Sequence, residues 1–293
     1  MSREQPALLV VDVGNTCMVF GLYRGDTLTG HWQLSSEGDM TSDELALKLH
    51  GLAAHGKKGD SLGKTGTVSL FLKEESKLSP LSQSATVPFL PEGILAASVV
   101  PHLDGILTEA CRKVFDITPA FVGSGDVKTG MAVDYKNPRE VGADRIANAV
   151  AAREQFGSPV IVMDCGTATT FDIVSPQGHY AGGLILPGVE LALAALCRRA
   201  ARLPEVSFGR METLIGRDTV GSMQAGSYWG AVESLNGIIH KIHALTGYGN
   251  APVIATGGQV EAMLEDISGI TEYRSRLTLE GLLLLAKRYF AAL

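Results

Sequence analysis

The chain has 293 residues, 45% of them hydrophobic, with 34 glycines and a formal charge of −6. That length suits two domains of about 150 residues each, and the composition suits a packed α/β protein rather than a disordered one. The acidic balance excludes a general binder of nucleic-acid backbones, whose affinity rests on cationic surface; a nucleotide held by backbone N–H groups and a metal stays open.

Residues 7–13 (ALLVVDV) and 18–23 (MVFGLY) read as two strands of a hairpin joined around Gly14, Asn15 and Thr16, with a third strand over 26–34. The apolar spacing of 41–55 predicts a helix, and Thr41 with Glu44 three residues on forms a capping box. Residues 56–91 are rich in Gly, Lys and Ser and read as an exposed insertion carrying a short hairpin. A buried strand at 93–101 and an amphipathic helix over 102–115 follow. A loop then leads into a helix beginning near Ala143 and ending near 157.

The second half repeats this order. Strands are expected at 159–164, 169–175 and 179–184, helices at about 188–200 and 218–246, a strand at 251–258 and a closing helix at 278–293. Three strands followed by alternating helices and strands, twice over, imply a duplicated α/β domain with a cleft between the copies. The expected division is 1–140, carrying the insertion, and 141–293.

The four cysteines form no Cys-x-x-Cys pair, which argues against a zinc site or a disulfide framework and for free thiols in a reducing cytosol. The N-terminus has no long apolar segment with a cleavage site, and no apolar run approaches the eighteen or so residues that span a bilayer. A cytoplasmic protein with no membrane partner is expected.

Several motifs fail on inspection. SLGKTG lacks the first Gly of a P-loop, because Lys58 stands there. GSGDVKTG has Lys128 at the third Gly position of a dinucleotide fingerprint. GDSLG (59–63) matches a nucleophile elbow in letters, but AAHGKK before it is no buried strand. His240 and His243 have metal-compatible spacing without a third ligand in sequence, so a structural or surface role is expected.

The chemistry lies in two related turns, LLVVDVGNTCMVFG and VIVMDCGTATTFDIV. An Asp ending a buried strand, followed at once by Gly, places a carboxylate where a phosphate can approach the backbone closely. Asp12 would hold Mg²⁺ directly or through water, and the backbone N–H groups of 14–17 would take phosphate oxygens. One such turn could be an ordinary β-turn; two after similar strands favour a phosphate clamp.

The paired Asp-x-Gly-x-Thr turns resemble the phosphate loops of the actin–hexokinase–sugar kinase superfamily. DVGNT, GADR, DCGTATTFD and GGLILPG in this order resemble the type III pantothenate kinases, and IGRDTVGSMQAG and ATGG extend the match to nearly the whole chain outside 56–91. The resemblance implies duplicated ribonuclease H-like (actin-like ATPase) domains with mixed five-stranded sheets. It implies ATP-dependent phosphorylation of pantothenate, the first step of coenzyme A synthesis.

It also implies residue roles. Asp144 of GADR is the general base, and a low pKa is acceptable there because phosphoryl transfer mainly needs alignment and charge neutralisation. Gly142, Ala143 and Arg145 contact substrate, as do Tyr135 and Thr219, the latter at an expected helix N-cap. Asp12, Val13, Gly14, Asn15, Thr16, Cys17, Met18 and Val19 line the ATP phosphates, and Thr167 contacts ATP. Asp164 holds a monovalent cation, K⁺ or NH₄⁺, ATGG forms a wall against the adenine, and Asp172 has no assigned role. A homodimer is implied, with Tyr228, Trp229, Val232 and Leu235 as interface candidates that core packing explains equally. The competing readings are another small-molecule kinase on the same frame and a non-catalytic homologue that keeps the nucleotide site; Asp12, Asp144 and Asp164 all being present argues against the second.

Overall fold

The computed structural model describes residues 6–36, 38–55, 90–200, 202–245 and 247–292. The expected hairpin of 56–91, with its GDSLG and SLGKTG motifs, lies almost wholly outside the described residues. Two compact units are present: residues 1–128 with 285–293, and residues 129–284. The first boundary falls upstream of the expected 140, and the closing helix is divided between the units rather than belonging to the second.

The first unit is built on strands β1 (Ala7–Val13), β2 (Cys17–Arg24), β3 (Thr27–Ser35), β4 (Gly93–Ser98) and β5 (Ala120–Phe121), in the order β3-β2-β1-β4-β5. β1 pairs antiparallel with β2 and parallel with β4. A strand flanked on both sides and covered on both faces must be apolar almost throughout, which is why ALLVVDV does not alternate. Helix α1 (Ser42–His55) opens on the capping box read from sequence: the Thr41 N–H donates to Glu44 Oε2 at 2.9 Å, and the Glu44 N–H to Thr41 Oγ1 at 3.2 Å. Helix α2 (Pro101–Phe115) puts Leu103, Leu107, Ala110 and Cys111 into a core with Leu45, Leu49, Phe20 and Ile94.

The second unit repeats the plan. Strands β6 (Val160–Cys165), β7 (Ala168–Val174), β8 (Tyr180–Pro187), β9 (Val253–Thr256) and β10 (Glu272–Tyr273) stand in the order β10-β9-β6-β7-β8, which is the first sheet's order read from its other edge. β6 takes the place of β1, antiparallel to β7 and parallel to β9. Helix α3 (Ala143–Phe156) and the start of α6 (Leu277–Phe290) lie together, close enough that a Cβ on Gly281 would meet the Ala147 backbone. Helix α5 (Thr219–His243) packs Tyr228, Val232, Leu235 and Ile239 against Ile161, Met163 and Phe171. Tyr228, Val232 and Leu235 are therefore core, not interface. Helix α4 (Val189–Arg199) buries only Leu193. These two mixed five-stranded sheets with their helices are the duplicated ribonuclease H-like fold.

The two short strands β5 and β10 and two 3-10 turns, Pro138–Glu140 and Gly258–Met263, have no counterpart in the sequence reading. All four cysteines among the described residues are free thiols, Cys111 and Cys165 buried and Cys17 and Cys197 partly so. The His243 ring contacts the Ala251 carbonyl at 2.9 Å, which gives it the structural role expected. Among the described residues no helix is long and apolar enough to cross a membrane.

Candidate active site

The first turn belongs to the first unit. Asp12, partly buried, is the penultimate residue of β1, opposite Val19 on β2 and Ala97 on β4. Val13 and Met18 are fully buried, so they can serve a ligand only through their backbones. Asn15 and Thr16 form the exposed tip, and the Thr16 carbonyl accepts from the Ser36 N–H at 2.9 Å. The Gly14 N–H donates to the Cys17 carbonyl at 3.0 Å. That bond closes the hairpin and removes Gly14 from the phosphate donors expected over 14–17. The Cys17 thiol is pushed up by burial, with Gln33 opposing and the Asp12 charge adding to the rise.

The second turn, in the second unit, keeps the same register. Asp164 is the penultimate residue of β6, opposite Thr170 on β7 and Thr256 on β9. The Gly166 N–H donates to the Ala168 carbonyl at 3.0 Å, and Thr167 is the exposed tip. The ATGG segment arrives beside this carboxylate. Gly257 has φ +89°, and a Cβ there would lie 2.6 Å from Asp164 Oδ1 and run into the Cys165 carbonyl. Only glycine allows both the conformation and the approach.

Helix α3 brings the GADR segment to Asp164. Gly142 is the N-cap and makes no side-chain cap, Ala143 is the first helical residue, and Asp144 sits in the first turn, where the helix dipole favours a carboxylate. The Arg145 N–H donates to Asp144 Oδ1 at 2.8 Å. One turn on, the fully buried Asn148 donates from Nδ2 to Asp164 Oδ2 at 3.0 Å, and its Oδ1 accepts from the Thr278 hydroxyl at 2.9 Å. Asn148 thus ties Asp164 to α3 and α6 together.

Arg145, 7% exposed, donates from Nε to Asp172 Oδ1 at 2.7 Å. Asp172 is fully buried and accepts also from the Tyr180 hydroxyl at 2.6 Å and the Thr170 hydroxyl at 3.3 Å. The Arg145 guanidinium lies 5.9 Å from the centre of the Tyr180 ring, and the Tyr135 ring meets Tyr180 edge-on at 6.2 Å.

Three carboxylates therefore share this region with one guanidinium, and their protonation follows. Burial first and the Asp144 charge second raise Asp164 to about 7, against the opposing Asn148 hydrogen bond. Burial also lifts Asp144 above the ordinary carboxylate range, with the Arg145 N–H and charge pulling the other way. A low pKa would have been acceptable for this base; its desolvated surroundings raise the value instead, which makes it the stronger base. Burial takes Asp172 up to about 6 in spite of Arg145 and Tyr180.

Of the predicted residues in this unit, Tyr135, Asp144, Arg145 and Asp164 are joined by contacts or shared charge, with Gly142 and Ala143 presenting the helix start. Thr219 stands elsewhere, in an open groove lined by Leu196, Leu203, Arg217, Ser222 and Met223. It is not the N-cap: Asp218 is, accepting from the Gly221 N–H at 2.7 Å. A carboxylate already occupies the place where an anion would be welcomed. Sequence reasoning missed Asn148, Asp172, Tyr180 and Thr278. Two of them carried a signal: Asn148 lies four residues after Asp144, one helical turn, and Asp172 interrupts the apolar run FDIV.

A profile of the type III pantothenate kinase family matches residues 8–241. The type III pantothenate kinase of Moorella thermoacetica is 42% identical over 281 residues, covering 96% of this chain and 99% of that one. That of Myxococcus xanthus is 40% identical over 285 residues, covering 97% and 100%. Among solved structures, a conserved Baf family protein from Campylobacter jejuni superposes with a TM-score of 0.55 at 18% identity, covering 97% of this chain and all of the other. Component A of the (R)-2-hydroxyglutaryl-CoA dehydratase of Acidaminococcus fermentans gives 0.50 at 13%, covering 98% and 99%. Those two identities speak to fold alone. With the family profile covering most of the chain and relatives near 40% identity aligned almost end to end, the chain belongs to the type III pantothenate kinase family.

Proposed function

We propose that this protein transfers the γ-phosphate of ATP to the primary hydroxyl of pantothenate, giving 4′-phosphopantothenate, the first step of coenzyme A synthesis. The observation that carries the reading is the half-buried Asp144 at the start of α3, held by the Arg145 N–H and standing among Asp164, Arg145 and Asp172. Asp144 accepts the hydroxyl proton as the oxygen attacks the γ-phosphorus and the bond to the bridging oxygen of ADP breaks. Arg145 and Tyr135 bind pantothenate, with Gly142 and Ala143 beside them. The first turn, Asp12 to Val19, holds the ATP phosphates, and Thr167 contacts ATP from the second turn. Thr219 contacts pantothenate from its groove, through its hydroxyl rather than through a helix N-terminus.

Two ions fit the donors present. Mg²⁺ suits the partly buried Asp12 carboxylate, because this ion keeps most of its ligands as water and substrate phosphate and needs few from protein. A large monovalent cation, K⁺ or NH₄⁺, suits Asp164. Its Oδ1 and the Cys165 carbonyl both lie close against Gly257, and a carboxylate with a carbonyl is the donor set of a weakly held cation. When bound, such ions offset the negative charge gathered where ATP and an anionic substrate meet.

The protein works as a homodimer in this reading. Leu184 and Ile185 on the edge strand β8, Leu191 and Leu196 on α4, Leu214 and Ile215, and Val220 on α5 are all exposed, Ile185 at 65% and Ile215 at 78%. An apolar edge strand left to solvent invites pairing, and a second copy covers it.

The test is product identity: incubation with ATP, Mg²⁺, KCl and pantothenate yields ADP and phosphopantothenate in equal amounts, with far slower turnover in NaCl. ATP turnover that is indifferent to pantothenate would sink the reading.

A further inference from the structure

The donors of Arg145 do not balance within the chain. A guanidinium carries five N–H groups and accepts nothing. Nε donates to Asp172 at 2.7 Å, and Nη2 reaches the Phe171 carbonyl only at 3.5 Å. Nη1 makes no hydrogen bond among the described residues, although the side chain is just 9% exposed. Nη1 is not among the buried atoms left without a partner, so it keeps an opening through which an acceptor from outside the polypeptide, water or a ligand oxygen, can reach it.

What surrounds Arg145 fixes the direction of those open donors. Asp172 is itself immobilised, with the Tyr180 hydroxyl on the same Oδ1 at 2.6 Å and the Thr170 hydroxyl on Oδ2 at 3.3 Å. The Tyr180 ring runs alongside the guanidinium, 5.9 Å from ring centre to Cζ, and Tyr135 closes edge-on against Tyr180. Gly183 leaves the space Nη2 needs, since a Cβ there would lie 2.6 Å from it and collide with the Phe171 carbonyl. Four elements therefore converge on one side chain: α3, β7, β8 and the loop carrying Tyr135.

We propose that Asp172 and Tyr180 are positioning residues, which hold Arg145 so that its Nη1 edge is presented to an acceptor oxygen of pantothenate beside Tyr135. Pantothenate offers a carboxylate, one amide carbonyl and two hydroxyls, and a fixed guanidinium edge selects among them by geometry. The inference rests on the pantothenate reading above. A purely architectural ion pair joining α3 to β7 makes a different prediction: loss of folding stability with no preference between the two substrates.

The experiment takes the full-length protein with Asp172→Asn or Tyr180→Phe as the single variants, with each of these combined with Arg145→Lys, and with Arg145→Lys alone to close both cycles. Pantothenate and ATP dissociation constants are read by calorimetry, KM and kcat by ADP release, and Tm by scanning fluorimetry. Losing the oriented charged hydrogen bond weakens pantothenate on the order of tenfold or more in both single variants. ATP affinity and Tm stay near the parent's. Because both act through Arg145, adding Arg145→Lys to either produces much less than the product of the separate losses. Pantothenate affinity unchanged in both single variants would overturn the proposal, as would fully multiplicative losses. If Asp172→Asn folds poorly, Tyr180→Phe decides alone, because it removes one hydroxyl. A parent that binds pantothenate without turning it over contradicts the proposed function and leaves the calorimetric test in force. A parent that does not bind pantothenate contradicts both.

Discussion

Asp172 is fully buried and Asp164 half-buried on the adjacent strand, and their partners differ in kind. Asp172 has a guanidinium and two hydroxyls, whereas the hydrogen bond to the Asp164 carboxylate comes from a neutral amide, Asn148. That contrast supports the proposal that Asp164 rather than Asp172 holds the cation. Asp172 poses a contest of magnitudes. Removing one member of a buried ion pair ordinarily costs about 3–5 kcal/mol. Here burial pushes the carboxyl up to about 6 even with Arg145 beside it, so desolvation of the charged form opposes the ion pair. That opposing cost falls away with a neutral Asn, which offsets much of the loss of the pair. Asp172→Asn therefore leaves stability at pH 7 close to the parent's. The folded state binds this proton more tightly than the unfolded chain does. The parent's stability from this group is thus fully present below about pH 4 and declines as pH rises to about 6, and the Asn variant lacks that slope. Thermal unfolding of both proteins across pH 4 to 7 checks it, and a variant that unfolds far below the parent at pH 7 contradicts it. None of this was legible in the sequence, where Asp172 read as a strand-end residue without assigned role. Asp164 stood out because its Asp-x-Gly turn repeats that of Asp12, and Asp144 only through the resemblance of GADR to the type III pantothenate kinases, but the surroundings that raise both depend on contacts from α3, β7 and α6 that no local pattern encodes.

Among the elements, the pairing of β8 with β7 carries the tightest steric demand, at Gly183 opposite Asp172. Gly183 faces the Phe171 carbonyl and Arg145 Nη2, so β8 can pair with β7 at this register only without a side chain there. Gly183→Ala is expected to lower unfolding free energy by about 1–3 kcal/mol through overpacking, and to weaken pantothenate more than ATP because the displaced group is Arg145. Urea denaturation alongside the two KM values tests this; a stable variant with equal losses for both substrates speaks against it. The long elements were readable from periodicity: β1 was placed at its observed ends, and the capping box fixed the start of α1. β5 and β10 were not, since strands of two residues are too short for alternation and exist only because β4 and β9 offer them a parallel edge. The start of α5 was off by its cap, because Asp218 and Thr219 are both good N-cap residues and only the backbone shows which one holds the position.

In the molecule as a whole, one strand order serves twice with different chemistry at equivalent positions. Asp12 and Asp164 occupy the same place on β1 and β6, yet Asp164 has Asn148 and GADR supplied by α3. Duplication was visible in the repeated Asp-x-Gly turns, while the location of the apolar surface was not. The sequence placed interface candidates on α5, where Tyr228, Val232 and Leu235 prove to be core, and the exposed apolar side chains lie on β8, α4 and 214–215. A homodimer built on that surface runs at the mass of two chains in light scattering, and Ile185→Glu shifts it to one; an Ile185→Glu variant that stays dimeric places the interface elsewhere. The most direct test of the central claim is the kcat of pantothenate-dependent ADP release for Asp144→Asn, measured beside its affinities for ATP and pantothenate. The expected result is a loss of about 10²-fold or more in kcat with both affinities and Tm near the parent's, since removing a general base acts on the transition state. Parent-like kcat in Asp144→Asn would contradict the assignment of Asp144 as the base.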